Sequence, residues 1–308
     1  MELVRGIHNM RPRHRGCAAT IGNFDGVHLG HRHMIATLRE RATALGVPAV
    51  VVTFEPTPRE HFEGAAAPSR LSRLREKLAA LEACGVERVV VLRFDERMRG
   101  LGATEFVDRL LVEGLGVRHL VVGHDFHFAR RREGTVATLR AAGAVHGFTV
   151  EEVRQFLVAG ERVSSSLVRE ALNRGDLARA TRLLGRPYRM AGRVRLGRKL
   201  GRQLGFPTAN LALQRKVVPL WGIFAVRASG AGLVDHPAVA SLGTRPTVNG
   251  TDPLLEVHLF DWDGSLYGRY LDVDFIERLR DEQKFESLDA LVAQMHRDAA
   301  AARRVLGV

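Results

Sequence analysis

The chain alternates between two hydrophobic textures. Compact apolar runs rich in β-branched residues stand at Cys17–Ile21, Ala49–Phe54, Arg88–Phe94, Arg118–Val122 and Phe148–Val153. Between them, apolar residues return with helical spacing. Met34, Ile35, Leu38, Ala42 and Leu45 fall close to a 3.6-residue period, and Leu71–Cys84 and Phe106–Leu115 read the same way. Strand–helix alternation of this kind predicts an α/β fold, a doubly wound parallel sheet with helices on both faces.

After about Leu184 the pattern changes. Arg193–Leu196, Ile223–Val226 and Leu255–Leu259 are short strand-like segments, punctuated by Gly197, Gly201, Pro207, Pro219, Gly222, Gly243, Pro246 and Gly250. This spacing predicts an antiparallel sheet or small β-barrel. Leu288, Leu291, Val292, Met295 and Ala299 then form one stripe of a C-terminal helix over Ser287–Leu306, with Ser287 as its N-cap. The break at Gly185–Tyr188 predicts two domains, 1–184 and 185–308, in keeping with a length of 308 residues.

Composition adds one feature. Hydrophobic residues at 45% and charged residues at 26% match a folded protein and exclude a mostly disordered chain. The net charge is +12, and of 46 basic residues only four are lysine. Such a chain suits a polyanion (phosphate ligands, nucleic acid or acidic lipid) or carries solvated basic faces; charge alone does not separate these. Cys17 and Cys84 form no CxxC pair and sit among apolar residues, which predicts buried, reduced thiols. The amino terminus lacks a signal-peptide core, and no run approaches 18 apolar residues. The expectation is a soluble cytoplasmic protein with no membrane partner.

The first candidate site lies in residues 20–33, TIGNFDGVHLGHRH. Ile21 ends an apolar strand, Gly22 and Gly26 permit a tight turn, and a helical pattern starts near Leu29. Backbone amides at a helix start favour an anion. His28 and His31 are three apart, so on a helix they share a face, and Gly30 between them lets a phosphate approach. Two imidazoles there can donate to charge developing on a transferring phosphate. A metal site is disfavoured, because the i, i+3 pair has no nearby cysteine or HExxH pattern.

The second lies in residues 192–210, GRVRLGRKLGRQLGFPTAN. A strand leads into a loop with Gly197, Gly201 and Gly205 and the basic Arg198, Lys199 and Arg202, then into Pro207–Asn210. Glycines and arginines suit a phosphate. Thr208 and Asn210 offer two oxygens on one extended face, which could ligate Mg²⁺ beside a nucleotide. A basic surface loop followed by a turn fits the same residues.

The GNFDGVHLGH string resembles the HxGH nucleotidyltransferases and, more closely, the bacterial bifunctional riboflavin kinase/FAD synthetase family. Further blocks carry the resemblance. VSSSLVR (Val163–Arg169) is similar to the family's SSTxIR block, which implies that Ser165, Ser166 and Arg169 hold ATP phosphates. VGHDFHFARRREG (Val122–Gly134) is similar to VGxDFxFGxxxxG and implies flavin contacts from Asp125, Phe126 and Phe128, with Ala129 where the family has glycine. FEPTP (Phe54–Pro58) is similar to FxPHP, which implies flavin-side roles for Phe54, Pro56 and Pro58, with Thr57 where histidine is common. GRQLGFPTANL is similar to the riboflavin kinase signature, and LLEVHLFDWDGSLYG (Leu254–Gly268) to the strand bearing a catalytic glutamate, here Glu256. SLGTRPTVNG and Phe275–Asp298 also match, so the resemblance runs from about residue 15 to 305.

The resemblance implies a nucleotidyltransferase domain followed by a small antiparallel barrel with a C-terminal helix, and two reactions. The barrel would phosphorylate riboflavin to FMN, with Glu256 as base. The first domain would transfer AMP from ATP to FMN, giving FAD, with His28 and His31 catalytic and Gly22, Asn23, Phe24, Gly26 and Gly30 at the nucleotide. Gly197, Gly201 and Arg202 would bind the kinase's nucleotide, and Mg²⁺ would accompany ATP, held by Thr208 and Asn210. Flavins would be substrate and product, partners would be small molecules rather than nucleic acid, and the oligomeric state is open. The charge alone suggests the competing nucleic-acid-binding reading. A kinase-only protein, with Ala129 and Thr57 impairing the other site, is the alternative within the enzyme class.

Overall fold

The computed structural model describes residues 1–197, 201, 204–215, 217–247 and 250–308, without the side chains of 245–247, 250 and 251. Its contacts define two compact units: Met1–Pro68 with Ser72–Ser164, and Ser69–Leu71 with Ser165–Val308.

The first unit is built on a six-stranded parallel sheet: β1 (Glu2–Arg5), β2 (Cys17–Ile21), β3 (Ala49–Phe54), β4 (Arg88–Leu92), β5 (Val117–Gly123) and β6 (Thr149–Val153), in the order β1-β4-β3-β2-β5-β6. The central strands β2 and β3 are buried at every position because both faces are covered. Alternate residues supply separate cores. Cys17, Ala19, Ile21, Val50, Val52, Leu120 and Val122 face one side; Ala18, Val51, Val89, Val91 and Val121 face the other. On the second face lie α1 (Leu29–Leu45), through Ile35, Leu38 and Ala42, and α3 (Leu74–Ala83), through Leu81. The short α2 (Pro58–Glu63) follows β3. On the first face, after α4 (Glu96–Gly100), α5 (Ala103–Phe106) runs into a π-helical turn (Val107–Gly114), and α6 (Val136–His146) adds Val136 and Leu139. The doubly wound expectation therefore holds. A small hairpin, β7 (Leu157–Val158) and β8 (Glu161–Arg162), ends the unit.

The second unit begins with α7 (Ser165–Asn173) and α8 (Leu177–Leu184), the latter packed on strands β9 and β14 defined next. Its strands β9 (Tyr188–Arg195), β10 (Ala209–Ala212), β11 (Gly222–Gly230), β12 (Leu233–Thr247), β13 (Gly250–Leu259) and β14 (Tyr270–Arg280) close into an antiparallel barrel, β10-β13-β12-β11-β14-β9. Along β11, Phe224 turns inward to meet Phe275 edge-on at 5.1 Å, while Ile223 and Ala225 face out and are covered by Ala302 and Leu306 of α9 (Leu288–Leu306). Ser287 caps α9 as expected, its Oγ accepting from the Ala290 amide at 3.2 Å.

Burial pushes the Cys17 thiol up to about 12, so it stays protonated; Cys84 is only half-buried. Among the described residues no helix is long and apolar enough to cross a membrane.

Gly143 of α6 packs directly on the Phe148 carbonyl oxygen, where a Cβ has no room. Helix propensity alone would make Gly143→Ala stabilising by about 1 kcal/mol. The packing reverses the sign: urea unfolding of this variant is expected at a lower midpoint than wild type.

Candidate active sites

The first site grows from the carboxyl ends of β2 and β5. These neighbours stand where the strand order reverses, the position at which open α/β sheets bind ligands. The GNFDG turn leaves β2 through left-handed Phe24 (φ 47), Gly26 (φ 84) and Val27 (φ 44). Phe24 and Val27 are each 1% exposed, so their side chains anchor the turn in the core. Its polar groups are tied down from elsewhere. The Gly22 amide donates to Val52 O at 3.0 Å and the Gly26 amide to Ser72 Oγ at 2.9 Å. Asp25 Oδ1 accepts from the Ser72 amide at 2.9 Å, and Thr53 Oγ1 donates to Asn23 O at 3.2 Å.

His28 caps α1 rather than riding on it, a correction to the shared-face expectation: its backbone is extended, and its Nδ1 accepts the His31 amide at 3.3 Å. That acceptor role puts the ring proton on Nε2. The two rings still meet, stacked with centroids 3.6 Å apart. Gly30 allows this, since a Cβ there would stand 3.3 Å from the His28 ring. His31 Nδ1 is buried without a hydrogen-bond partner. Burial first, and then electrostatic opposition from His28 and Lys77, hold the His31 imidazole well below its ordinary 6.5. A neutral ring keeps one N–H for an anion's oxygen.

The flavin-side candidates divide by burial. Phe54 and Phe128 belong to the core, Phe54 edge-on to Phe94 at 5.8 Å and Phe128 beside Phe106 at 5.1 Å. Phe126 is half-buried over Phe128, and Pro56 is exposed. Pro58 opens α2, and Thr57 is its N-cap, with Glu60 completing a capping box. The exposed Asp125 takes a 2.7 Å ion pair from Arg162, which holds its carboxyl below the usual range. Ala129 has φ 64 and ψ −174, a conformation open to glycine and strained for any other residue. Ser165, Ser166 and Arg169 lie on α7 in the second unit, where Arg169 Nε donates to Ser69 O at 2.6 Å.

The second site is a cavity of about 590 Å³ in the barrel unit, lined among others by Gly201, Thr208, Asn210, Glu256, Arg280 and Glu282. Register makes it. Glu256 on β13 pairs with Asn210 on β10 and with Ser241 on β12, while Leu255 and Val257 point into the core. Gly197 packs so closely on Asn210 that a Cβ would fall 2.7 Å from its amide, so this glycine makes room for the Asn210 side chain; Gly201 packs on the Phe206 carbonyl oxygen, where a Cβ has no room. His258 Nδ1 donates to Pro207 O at 2.9 Å, steadying the same segment. Asp298, 7% exposed, takes Arg280 in a bidentate pair at 2.6 and 2.8 Å and Gln294 at 2.8 Å. Burial raises the Glu282 carboxyl; Arg280 opposes this and Glu256 adds to it. A second cavity of about 470 Å³, lined by Trp262, Asp263 and Tyr267, shares Thr208. Arg202, with Arg198 and Lys199, lies outside the described residues.

Both sites sit in segments with known relatives. The FAD synthetase profile matches residues 10–167 and the riboflavin kinase profile residues 184–306. The chain is 55% identical to the bifunctional riboflavin kinase/FMN adenylyltransferase of Pseudomonas fluorescens, over 98% of this chain and 97% of that one. It is 47% identical to the Escherichia coli K12 protein of the same name, over 100% and 99%. This chain belongs to the bifunctional riboflavin kinase/FMN adenylyltransferase family. A crystal structure from Streptococcus pneumoniae, described as a macrolide-efflux protein, superposes with a TM-score of 0.84 at 28% identity, over 98% of this chain and 99% of that one.

The motif resemblances point to the glycines, the histidines and Glu256 from sequence alone. Residues that support them came only with the structure: Ser72, Thr53 and Lys77 behind the turn, Arg162 on Asp125, and His258 and Asp298 around the cavity. Thr57 had a legible signal, the T-x-x-E spacing of a capping box.

Two expected outcomes follow from this geometry. Ala129→Gly removes about 1–3 kcal/mol of backbone strain and returns part of it as unfolded-chain entropy, so the variant is expected to unfold at higher urea by about 1 kcal/mol. The second concerns pH. His31 binds protons more weakly folded than unfolded, so its contribution is present above pH 6.5 and lost as pH falls toward its folded value. The slope is at most about 1.4 kcal/mol per pH unit. Urea midpoints from pH 7.5 to 5 are expected to fall less for His31→Gln than for wild type.

Proposed function

We propose that this chain phosphorylates riboflavin with ATP to give FMN and then transfers AMP from a second ATP to FMN, giving FAD and pyrophosphate. One observation carries the reading: two family profiles follow one another on the chain, over residues 10–167 and 184–306, with His28 and His31 in the first span and Glu256 in the second. We set the functional boundary at Gly185, the left-handed C-cap of α8, giving domains 1–184 and 185–308.

The ribityl hydroxyl of riboflavin is a neutral nucleophile, so its phosphorylation calls for a base. Glu256, on the cavity wall, takes the hydroxyl proton as the γ-phosphate is attacked. Thr208 belongs to both cavities. Nucleotide phosphates arriving on the Trp262–Tyr267 side would pass Thr208 to reach a flavin hydroxyl at Glu256. Gly197, Gly201 and Arg202 are assigned to the nucleotide. Thr208 and Asn210 supply hard, neutral oxygens that suit Mg²⁺ and leave its remaining positions to phosphates and water. Bound there, Mg²⁺ would offset the triphosphate's charge.

The FMN phosphate is already an anion, so adenylyl transfer needs no base. His28 and His31 stabilise charge on the departing pyrophosphate, with Gly22, Asn23, Phe24, Gly26 and Gly30 shaping the turn that receives it. Ser165, Ser166 and Arg169 are assigned to phosphate binding by their motif. Phe54, Pro56, Pro58, Asp125, Phe126 and Phe128, at the ends of β3 and β5, are assigned to the flavin side. The reading implies a cytoplasmic enzyme of small molecules, with its basic surface serving no nucleic acid.

A chromatographic product assay with ATP, Mg²⁺ and either riboflavin or FMN tests it. Wild type is expected to form FAD in both tubes. Glu256→Gln is expected to lower FMN formation by about 10²- to 10⁴-fold while still converting FMN to FAD; FMN formation at the wild-type rate would remove Glu256 from the mechanism.

A further inference from the structure

The most unusual charge in the first unit has no part in the mechanism above. Lys77 of α3 is 1% exposed, whereas lysines are almost never fully buried unless their charge is used. Taking an ammonium out of water is costly, and an apolar residue of similar volume would fill this place without that cost. The Lys77 ammonium donates to Thr53 Oγ1 at 3.3 Å. Thr53, near the end of β3 and fully buried, gives its own proton to Asn23 O at 3.2 Å. A hydroxyl has a single proton, so the ammonium occupying its lone pair fixes the rotor that points at Asn23. Asn23 is the second residue of the GNFDG turn. The relay therefore ends on the backbone of the turn assigned to the departing pyrophosphate.

The same ammonium acts on His31. Phe24 lies 5.1 Å from that ring and His28 is stacked on it; burial first, then His28 and the Lys77 charge, oppose its protonation. Asp25, the carboxylate of the turn, is bound by the Ser72 amide and hydroxyl.

We infer that Lys77 is a positioning residue for adenylyl transfer: through Thr53 it holds the GNFDG turn in the shape that receives the phosphates. This rests on the proposed adenylyltransferase reading of the site. Lys77 touches no reacting atom, so the test must read more than stability.

Lys77→Met keeps the length and removes the charge. Thr53→Val keeps the shape and the charge and removes the relay. Both would be assayed as the full chain, for FAD formation from FMN across pH and for FMN formation from riboflavin. With Lys77→Met, kcat for FAD is expected to fall about tenfold or more, because fixed charge matters most in the transition state, with KM for FMN little changed. The acid limb of its pH profile should move to higher pH, while FMN formation stays at the wild-type rate. With Thr53→Val, kcat should fall and the acid limb stay in place. FAD formation at the wild-type rate with an unmoved limb in Lys77→Met would overturn the inference. If Lys77→Met does not fold, Thr53→Val decides alone, and a wild-type kcat there overturns it. Failure of wild type to make FAD would instead sink the reading beneath it.

Discussion

A turn forced through left-handed residues cannot satisfy its polar groups by itself. The GNFDG turn and the Val27 that follows it hold three left-handed residues, two of them not glycine, and beyond the local bond from the Val27 amide to Phe24 O its supports come from distant parts of the chain. Ser72 takes the Gly26 amide and the Asp25 carboxylate, Val52 takes the Gly22 amide, and Thr53 reaches Asn23. These bonds exist only because β2 lies between β3 and β5 with α3 packed on the same core. The stacked histidines depend in turn on that turn, since His28 must leave it extended to cap α1.

The barrel unit meets a comparable demand through register. Glu256, Asn210 and Ser241 are side by side on three consecutive strands, with the apolar residues flanking Glu256 committed to the core. A slip of one residue would send Glu256 inward and Leu255 or Val257 into the cavity. Closure of the sheet leaves no strand edge free to permit such a slip. Gly197 and Gly201 then matter less as flexible points than as absent side chains, leaving space for Asn210 and for the Phe206 carbonyl.

How much was legible depends on what covers each segment. β2 and β3 match their apolar runs to the residue because they are buried on both faces. α1 starts five residues before its apolar stripe, since its first turn carries the His28 cap and the stacked rings rather than core residues. β1 escaped notice because four residues with one buried valine carry no period. The barrel strands β11 and β13 extend past the short runs that announce the barrel, and β12 and β14 carry no such run, being held by their pairing with neighbours rather than by a pattern of their own. Among site residues, the histidines, Thr208, Asn210 and Glu256 stood in recognisable motifs. Lys77 did not: Leu74–Ala83 reads LREKLAALEA, and nothing in that string separates it from the solvated arginine and glutamates beside it.

The sequence by itself determined the order of elements, the doubly wound and barrel classes, and which residue types could meet phosphate. Those follow from local periodicity and from motifs whose spacing is fixed by the chain. Only the tertiary structure decided which charges lose their water. Desolvation is set by what other segments lay over a group, so the lowered proton affinity of His31 and the burial of Lys77 follow from packing that no local string displays.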